Sequence, residues 1–180
     1  DGWTSLLHLD PGKGIPHSQG RLNNASGERV SSEERLDTFG AYLQYVQWQV
    51  RTASLVDWPP LGHPLAVNEG AITIEELKSA IKSFKLGKSC GPDRHPVEFW
   101  RAVVMHGDQE GSDWLLHLCN SVWFRKEVPQ SWHLQRVAMI YKKGDPAECG
   151  NYRPICLLNS ACKIVAMILL RRLLDAGADA

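Results

Sequence analysis

No two cysteines in this sequence stand at Cys-x-x-Cys spacing, no two aspartates stand side by side, and no apolar run is long. The five cysteines, Cys90, Cys119, Cys149, Cys156 and Cys162, are odd in number and widely spaced, which argues against a disulfide framework and for a reduced, intracellular compartment, nucleus or cytoplasm. The longest apolar stretch, Ile164 to Leu170, falls far short of the roughly 20 residues that a membrane span requires. The first residues, DGWTSLLHLDPGKG, lack the basic and then continuously apolar pattern of a secretory leader, so a soluble protein without membrane contact is expected. Without adjacent aspartates the chain lacks one ready arrangement for holding two divalent ions.

A hydrophobic content of 43% over 180 residues suffices for a real core and argues against disorder throughout. The formal net charge of zero conceals an asymmetry. Residues 1–70 hold 5 Lys and Arg against 8 Asp and Glu, whereas residues 71–180 hold 15 against 12. Between Leu134 and Leu173 seven cations (Arg136, Lys142, Lys143, Arg153, Lys163, Arg171 and Arg172) face only Asp145 and Glu148. Such a local excess fits contact with a polyanion at one place better than a globally basic binder.

Residues 1–30 are rich in Gly, Ser, Asn and Pro without sustained period and read as a loosely ordered arm. Ser31 with Glu34 matches a capping box. Leu36, Phe39, Leu43, Val46 and Val50 then recur at three- and four-residue steps, predicting a helix from about Ser32 to Thr52. Trp58, Pro59, Pro60 and Pro64 begin a linker. A second helix opens at Thr73, paired with Glu76, with Leu77, Ile81 and Phe84 as its buried stripe and Gly87 ending it. The loop from Lys88 to Pro96 reads as a shaped turn, with Asp93 closing it and Pro96 opening the next helix, in which Phe99, Trp100 and Val103 face inward. Ser112 caps a further helix through Trp114, Leu115, Leu118, Val122 and Trp123. Val137 to Tyr141 is β-branched and apolar enough for a strand, followed by the turn Lys143-Gly144-Asp145-Pro146 and a partner strand near Tyr152 to Leu157, where Pro154 demands an edge. Asn159 or Ser160 caps a last helix to about Leu174.

The order of these segments resembles the N-terminal part of the reverse transcriptase of non-LTR (LINE-type) retrotransposons. The helix ITIEELKSAIKSFKLGKS, the Gly-Pro-Asp loop and HPVEFW are similar to the family's leading helix and its Gly-Pro-Asp-Gly-Ile-Pro-x-Glu-Phe loop. The segment NSVWFRKEVPQSWHLQRVAMIYKKGDP is similar to its first fingers strand, and NYRPICLLNSACKIVAMILLRRL to its Asn-Tyr-Arg-Pro-Ile-Ser-Leu-Leu run. The likeness covers about residues 71–174, and the helix from Ser32 is similar to the segment that precedes the polymerase. Cys90 stands where the family usually has proline, Arg94 where it has glycine and Cys156 where it has serine.

The resemblance implies an α/β fold, with residues 1–70 a flexible arm and linker helix and residues 71–180 a partial fingers and upper-palm unit holding a short β-hairpin and a long helix. It implies RNA-directed DNA polymerisation in the parent protein, with RNA template, DNA primer, deoxynucleoside triphosphates and Mg2+ as partners. The carboxylates that hold the metal lie, in the family, downstream of the segments matched here. The chain alone is therefore expected to have no catalytic residue, no metal ligand and no cofactor, and at most to bind nucleic acid or triphosphate. The alternative is a non-enzymatic relic or adopted helical protein-interaction module.

By the same resemblance Lys142, Lys143 and Arg153, with Arg136 second, approach the triphosphate and the template backbone; guanidinium groups grip phosphate oxygens bidentately and lysine supplies a point charge. The competing readings are a solvated hairpin tip for the lysines and a structural salt bridge for Arg153. Ile155 and Leu157 share one strand face, under the template. Arg171 and Arg172 read better as cations meeting a helix C-terminus than as nucleic-acid contacts. Asp145 is a turn former and Glu148 a solvated acid. Trp100, Trp114, Trp123 and Trp132 fall on apolar faces and read mainly as core. Cys149, Cys156, Cys162 and His133 lack zinc-site spacing, and Gly12-Lys13-Gly14 is too short for a phosphate loop.

Overall fold

The structure, a computed structural model, describes residues 22–49 and 64–178. It is mixed α/β, in the order α1 (Arg35–Tyr42), α2 (Ile74–Ser83), α3 (Val97–His106), α4 (Gln109–Arg125), β1 (Arg136–Tyr141), β2 (Tyr152–Leu157) and α5 (Ser160–Asp175). No helix among the described residues is long and apolar enough to cross a membrane. Two compact units emerge, and they do not follow sequence order. Residues 22–49 join the hairpin 136–157 in one, while residues 64–135 and 158–178 form the other.

In the first unit β1 and β2 pair antiparallel, with Tyr141 opposite Tyr152, Met139 opposite Pro154 and Val137 opposite Cys156. Both strands are edges of a two-stranded sheet, which is where Pro154 is tolerated. Leu22, Val30, Phe39, Leu43, Val137, Cys149 and Tyr152 form its core. Residues 22–30, expected as loose arm, are built into this core instead: Leu22 is buried, Asn23 bridges to Arg29, and the Asn23 amide donates to the Ala147 carbonyl at 2.8 Å. The rest of that arm, residues 1–21, and the Trp58 to Pro60 linker lie outside the described residues. The Ser31–Glu34 capping box forms, each side chain accepting from the other's amide. Beyond Tyr42 the helix widens into a π-turn over Leu43–Gln47, and the added residue rotates the stripe so that Val46 is exposed rather than buried. Val50 lies outside the described residues.

The second unit is helical, around Leu77, Ile81, Trp100, Leu115, Cys119, Trp132, Ile164 and Ile168. Thr73 and Glu76 make the predicted capping box of α2. That helix ends earlier than expected, because Phe84 turns extended to pack on the core; Gly87, at φ +69°, shapes the following turn and donates its amide to Glu98. Helix α3 begins at Val97, so its buried stripe is Val97, Trp100 and Val104, and Phe99 is exposed rather than inward. Asp108, not Ser112, caps α4 by accepting from the Gly111 amide at 3.0 Å, which adds a turn and buries Ser112 inside the helix. Trp114 is also turned out of the core. It is 57% exposed and lies flat against Trp100 at 5.9 Å.

Candidate nucleic-acid interface

Strand alternation sorts the hairpin into two faces. Val137, Met139 and Tyr141 share one with Tyr152, Pro154 and Cys156, and on this face Val137, Met139 and Tyr152 pack on α1. The other carries Arg136, Ala138 and Ile140 with Leu157, Ile155 and Arg153. Ile140 and Ile155 are exposed there, so the face is an apolar strip with a guanidinium at either end. Arg153 sits opposite Ile140, two residues from Lys142 and about 7 Å from it along the strand direction at a strand's rise. Arg136, opposite Leu157, is about 14 Å from Arg153 by the same measure. The structure thus groups Lys142, Lys143 and Arg153 at the loop end and leaves Arg136 apart.

Lys142, Lys143 and Arg153 are exposed and Arg136 half-buried. None of the four makes an ion pair among the described residues. A structural salt bridge is therefore not what Arg153 does within the described residues.

The turn between the strands is held from several sides. The Lys142 amide donates to the Asn151 carbonyl at 2.8 Å and closes the loop. The Tyr141 hydroxyl donates to the Gly144 carbonyl at 2.6 Å, the Tyr152 hydroxyl to the Pro146 carbonyl at 2.8 Å, and the Asn151 side chain to the Asp145 carbonyl at 2.9 Å. Asp145 accepts from the Ala147 amide at 2.9 Å, an Asx-turn that spends its carboxylate on the backbone, as a turn former should. Glu148 is not simply solvated, since its carboxylate accepts from the Asn23 side chain at 3.0 Å. Gly144 is favoured by its backbone conformation. Its φ is +95°, and a Cβ would stand 2.6 Å from Asn151 Nδ2. Burial pushes the Tyr152 phenol above its ordinary value, with Arg35 opposing, so the hydroxyl remains a donor at neutral pH.

In the other unit, the Gly-Pro-Asp loop is fastened by two polar residues that the sequence marks only as helix caps. Asn159 is buried and makes no cap bond; its side chain accepts from the Asp93 amide at 3.3 Å and donates to the Ser131 carbonyl at 3.3 Å. Buried Ser160 donates to the His95 carbonyl at 2.6 Å, and Lys163 to the Ser89 carbonyl at 3.3 Å. Asp93 closes the turn as expected, through the His95 amide. Arg94 stands at φ +58°, the left-handed conformation that favours glycine.

The remaining singled-out residues are structural. Arg172 is 4% exposed and bound to Glu76 and three carbonyls, so it is not free for nucleic acid, and half-buried Arg171 donates to the Ser79 hydroxyl. Trp132 is buried in the helical core. Among the described residues no three His, Cys, Asp or Glu side chains converge on one point where they could hold a divalent ion.

Comparison with known proteins points to one class, the RNA-directed DNA polymerases of mobile elements, and the chain resembles the reverse transcriptases of non-LTR retrotransposons. It is 29% identical, over 96% of its length, to the Drosophila melanogaster protein of transposon BS, described as a probable RNA-directed DNA polymerase. It is 34% identical over 58% of its length to the RNA-directed DNA polymerase from mobile element jockey of the same species, and 28% identical over 57% to the retrovirus-related Pol polyprotein from type-1 retrotransposable element R1 of Bradysia coprophila. The chain spans 19% of the first of these and 11% and 10% of the other two. No family model matches it.

Proposed function

We propose that this chain is a nucleic-acid-gripping portion of a non-LTR reverse transcriptase, and that it acts through the hairpin. The whole protein copies RNA into DNA from a primer with deoxynucleoside triphosphates, and Mg2+, held outside the residues described here, would supply positive charge for that transfer. Residues 22–178 contribute positioning rather than that chemistry. Lys142, Lys143 and Arg153 contact phosphate oxygens of the template or the triphosphate, and Ile140, Ile155 and Leu157 lie under the sugars and bases between them. Arg136 adds a second, more distant phosphate contact. The chain in isolation binds nucleic acid without polymerising it.

One observation carries this reading: Lys142 and Lys143 at the start of the turn and Arg153 on the adjoining strand are exposed and make no ion pair among the described residues, on a turn whose backbone is tied down from several sides, beside an exposed apolar strand face. Surface cations without a partner are poor contributors to stability, so a held loop that presents them fits a ligand better than a fold requirement. The test is the binding of single-stranded RNA by the wild-type chain and by the Lys142→Ala, Lys143→Ala, Arg153→Ala triple variant across a salt series. Removing three phosphate contacts flattens the slope of log K against log salt by about 2 units for single strands. Equal binding and equal slope would remove the proposal.

A second reading, a helical protein-interaction module, draws on a recess of about 570 Å³ bordered by Val122, Phe124, Val128 and Leu169, with Phe124 61% exposed. Self-association that salt does not weaken, without RNA binding, is the outcome that favours it.

A further inference from the structure

The four cations are not the only hairpin residues with a part in the grip. Two tyrosines face each other across the last rung of the ladder, Tyr141 opposite Tyr152, with ring centroids 5.6 Å apart and nearly edge-to-face. Each sends its hydroxyl into the same turn. Tyr141 reaches the carbonyl of Gly144, and Tyr152 that of Pro146, on either side of Asp145. Tyr152 is in turn set from behind by Phe39 of α1, at 4.9 Å and 72°. A rigid path of packed rings therefore runs from α1 through Tyr152 to the basic turn, and two carbonyls of that turn hang on phenol hydroxyls.

We infer that Tyr141 and Tyr152 are positioning residues for the phosphate grip, fixing through the Gly144 and Pro146 carbonyls the backbone that carries Lys142 and Lys143. The inference rests on the proposed function of the hairpin and names residues that the cation pattern does not reveal. Neither hydroxyl has to touch nucleic acid. Their work is to leave the turn already ordered before the ligand arrives, so that its ordering does not weaken binding. Three features of the turn are consistent with pre-organisation as the purpose of the tyrosine pair. Gly144 adopts a positive-φ conformation that favours glycine, Asp145 turns its carboxylate onto the backbone, and Asn151 adds a further tie to the Asp145 carbonyl.

The Tyr141→Phe, Tyr152→Phe double variant of the full chain deletes two oxygen atoms and keeps both rings. Three quantities are read: affinity for a single-stranded RNA oligonucleotide across a salt series, amide hydrogen exchange over residues 143–148, and the melting temperature. Loosening of the turn with all cations retained predicts RNA binding weaker by roughly 3- to 10-fold, as expected for losing one or two neutral hydrogen bonds, an unchanged salt slope and faster exchange in the turn. A residue that only stabilised the fold would lower the melting temperature and leave the affinity of the folded protein alone. If the double variant melts early, Tyr141→Phe alone carries the same test, because the Tyr141 ring is exposed and outside the core. Binding equal to wild type in the phenylalanine variants, while the triple cation variant loses affinity and slope, overturns the positioning role and leaves the proposed function standing. A triple cation variant that binds as wild type overturns both.

Discussion

Arg172 holds Glu76 by two parallel hydrogen bonds, Nε to Oε1 at 2.6 Å and Nη2 to Oε2 at 2.8 Å. Its other N–H groups reach the carbonyls of Asn68, Gly70 and Ala71 at 3.0, 2.8 and 3.1 Å, and its guanidinium lies over the Trp123 ring at 5.1 Å. One side chain on α5 thus fastens α2 and the segment leading into it. The arginine is buried, so its removal leaves three carbonyls without that donor and the Glu76 carboxylate with only the Thr73 amide. Arg172→Met is expected to cost about 3–5 kcal/mol in denaturant unfolding, the usual penalty for breaking a buried pair on one side. A loss below 1 kcal/mol would mean that this network does not form in solution.

The same pair sets a pH dependence. The hydrogen bond from Arg172 is the largest influence on the Glu76 carboxyl and holds it below its ordinary value of 4.5, against a smaller opposing effect of burial. A carboxyl depressed by folding stabilises the folded state above its unfolded pKa and ceases to do so as pH falls through the lower folded value. Stability should therefore decline on acidification from about pH 5 downward. In Glu76→Gln that part of the decline disappears, while stability at pH 7 falls by about 1.5–3 kcal/mol, the worth of a charge-assisted hydrogen bond. Parallel acid limbs in the two proteins would rule out Glu76 as their source.

Two neighbouring positions in the Gly-Pro-Asp loop should respond in opposite directions. Gly91 approaches the backbone where α5 begins, and a Cβ there would lie 2.5 Å from both Asn159 N and Leu158 C. Backbone cannot step aside as a side chain can, so Gly91→Ala is expected to destabilise by about 1–3 kcal/mol. Arg94, by contrast, occupies a left-handed conformation with an exposed side chain. Arg94→Gly removes the Cβ conflict and adds unfolded-state freedom, for a net gain of about 0.5–1 kcal/mol. Thermal melts of the two variants check both signs.

Arg94 also shows how far a sequence can be read. An arginine where the resembled family has glycine is a departure from the family's pattern, yet the backbone there keeps the left-handed conformation suited to glycine, at φ +58°. Local signals were dependable: the Thr73–Glu76 capping box, the span of β2 and the Asp145 turn each follow from residues a few positions apart. What escaped were choices made over distance. Phe99 and Trp114 fit an apolar face by spacing, yet the helix start shifted by a turn in α4 and the burial of Val97 in α3 moved them outward. The pairing of residues 22–49 with the hairpin rests on contacts such as Phe39 with Tyr152 and Asn23 with Glu148, over a hundred positions apart, which no periodicity encodes. The cations of the proposed site stand out in the sequence because charge is local in it. Its supports, Tyr141, Asn151 and Tyr152, do not, because a hydroxyl or an amide declares its role only once the turn it holds is closed.

Cysteine reactivity offers a check on both cores at once. Cys119 is fully buried in α4, and burial pushes its thiol up to about 12, so at pH 8 only about one molecule in ten thousand carries the reactive thiolate. Cys149 and Cys162 are raised in the same direction, chiefly by burial, whereas Cys156 is exposed on β2. Native alkylation followed by peptide mapping should modify Cys156 first and Cys119 last. Cys156 belongs to the hairpin face opposite Arg153 and Ile155, so the singly alkylated protein should keep its affinity for RNA. Early labelling of Cys119 would contradict the packing of α4. Loss of RNA binding on labelling Cys156 would place the ligand on the wrong side of the hairpin for Arg153 to reach it, and the face bearing Ile140 and Ile155 would lose its claim as the contact surface.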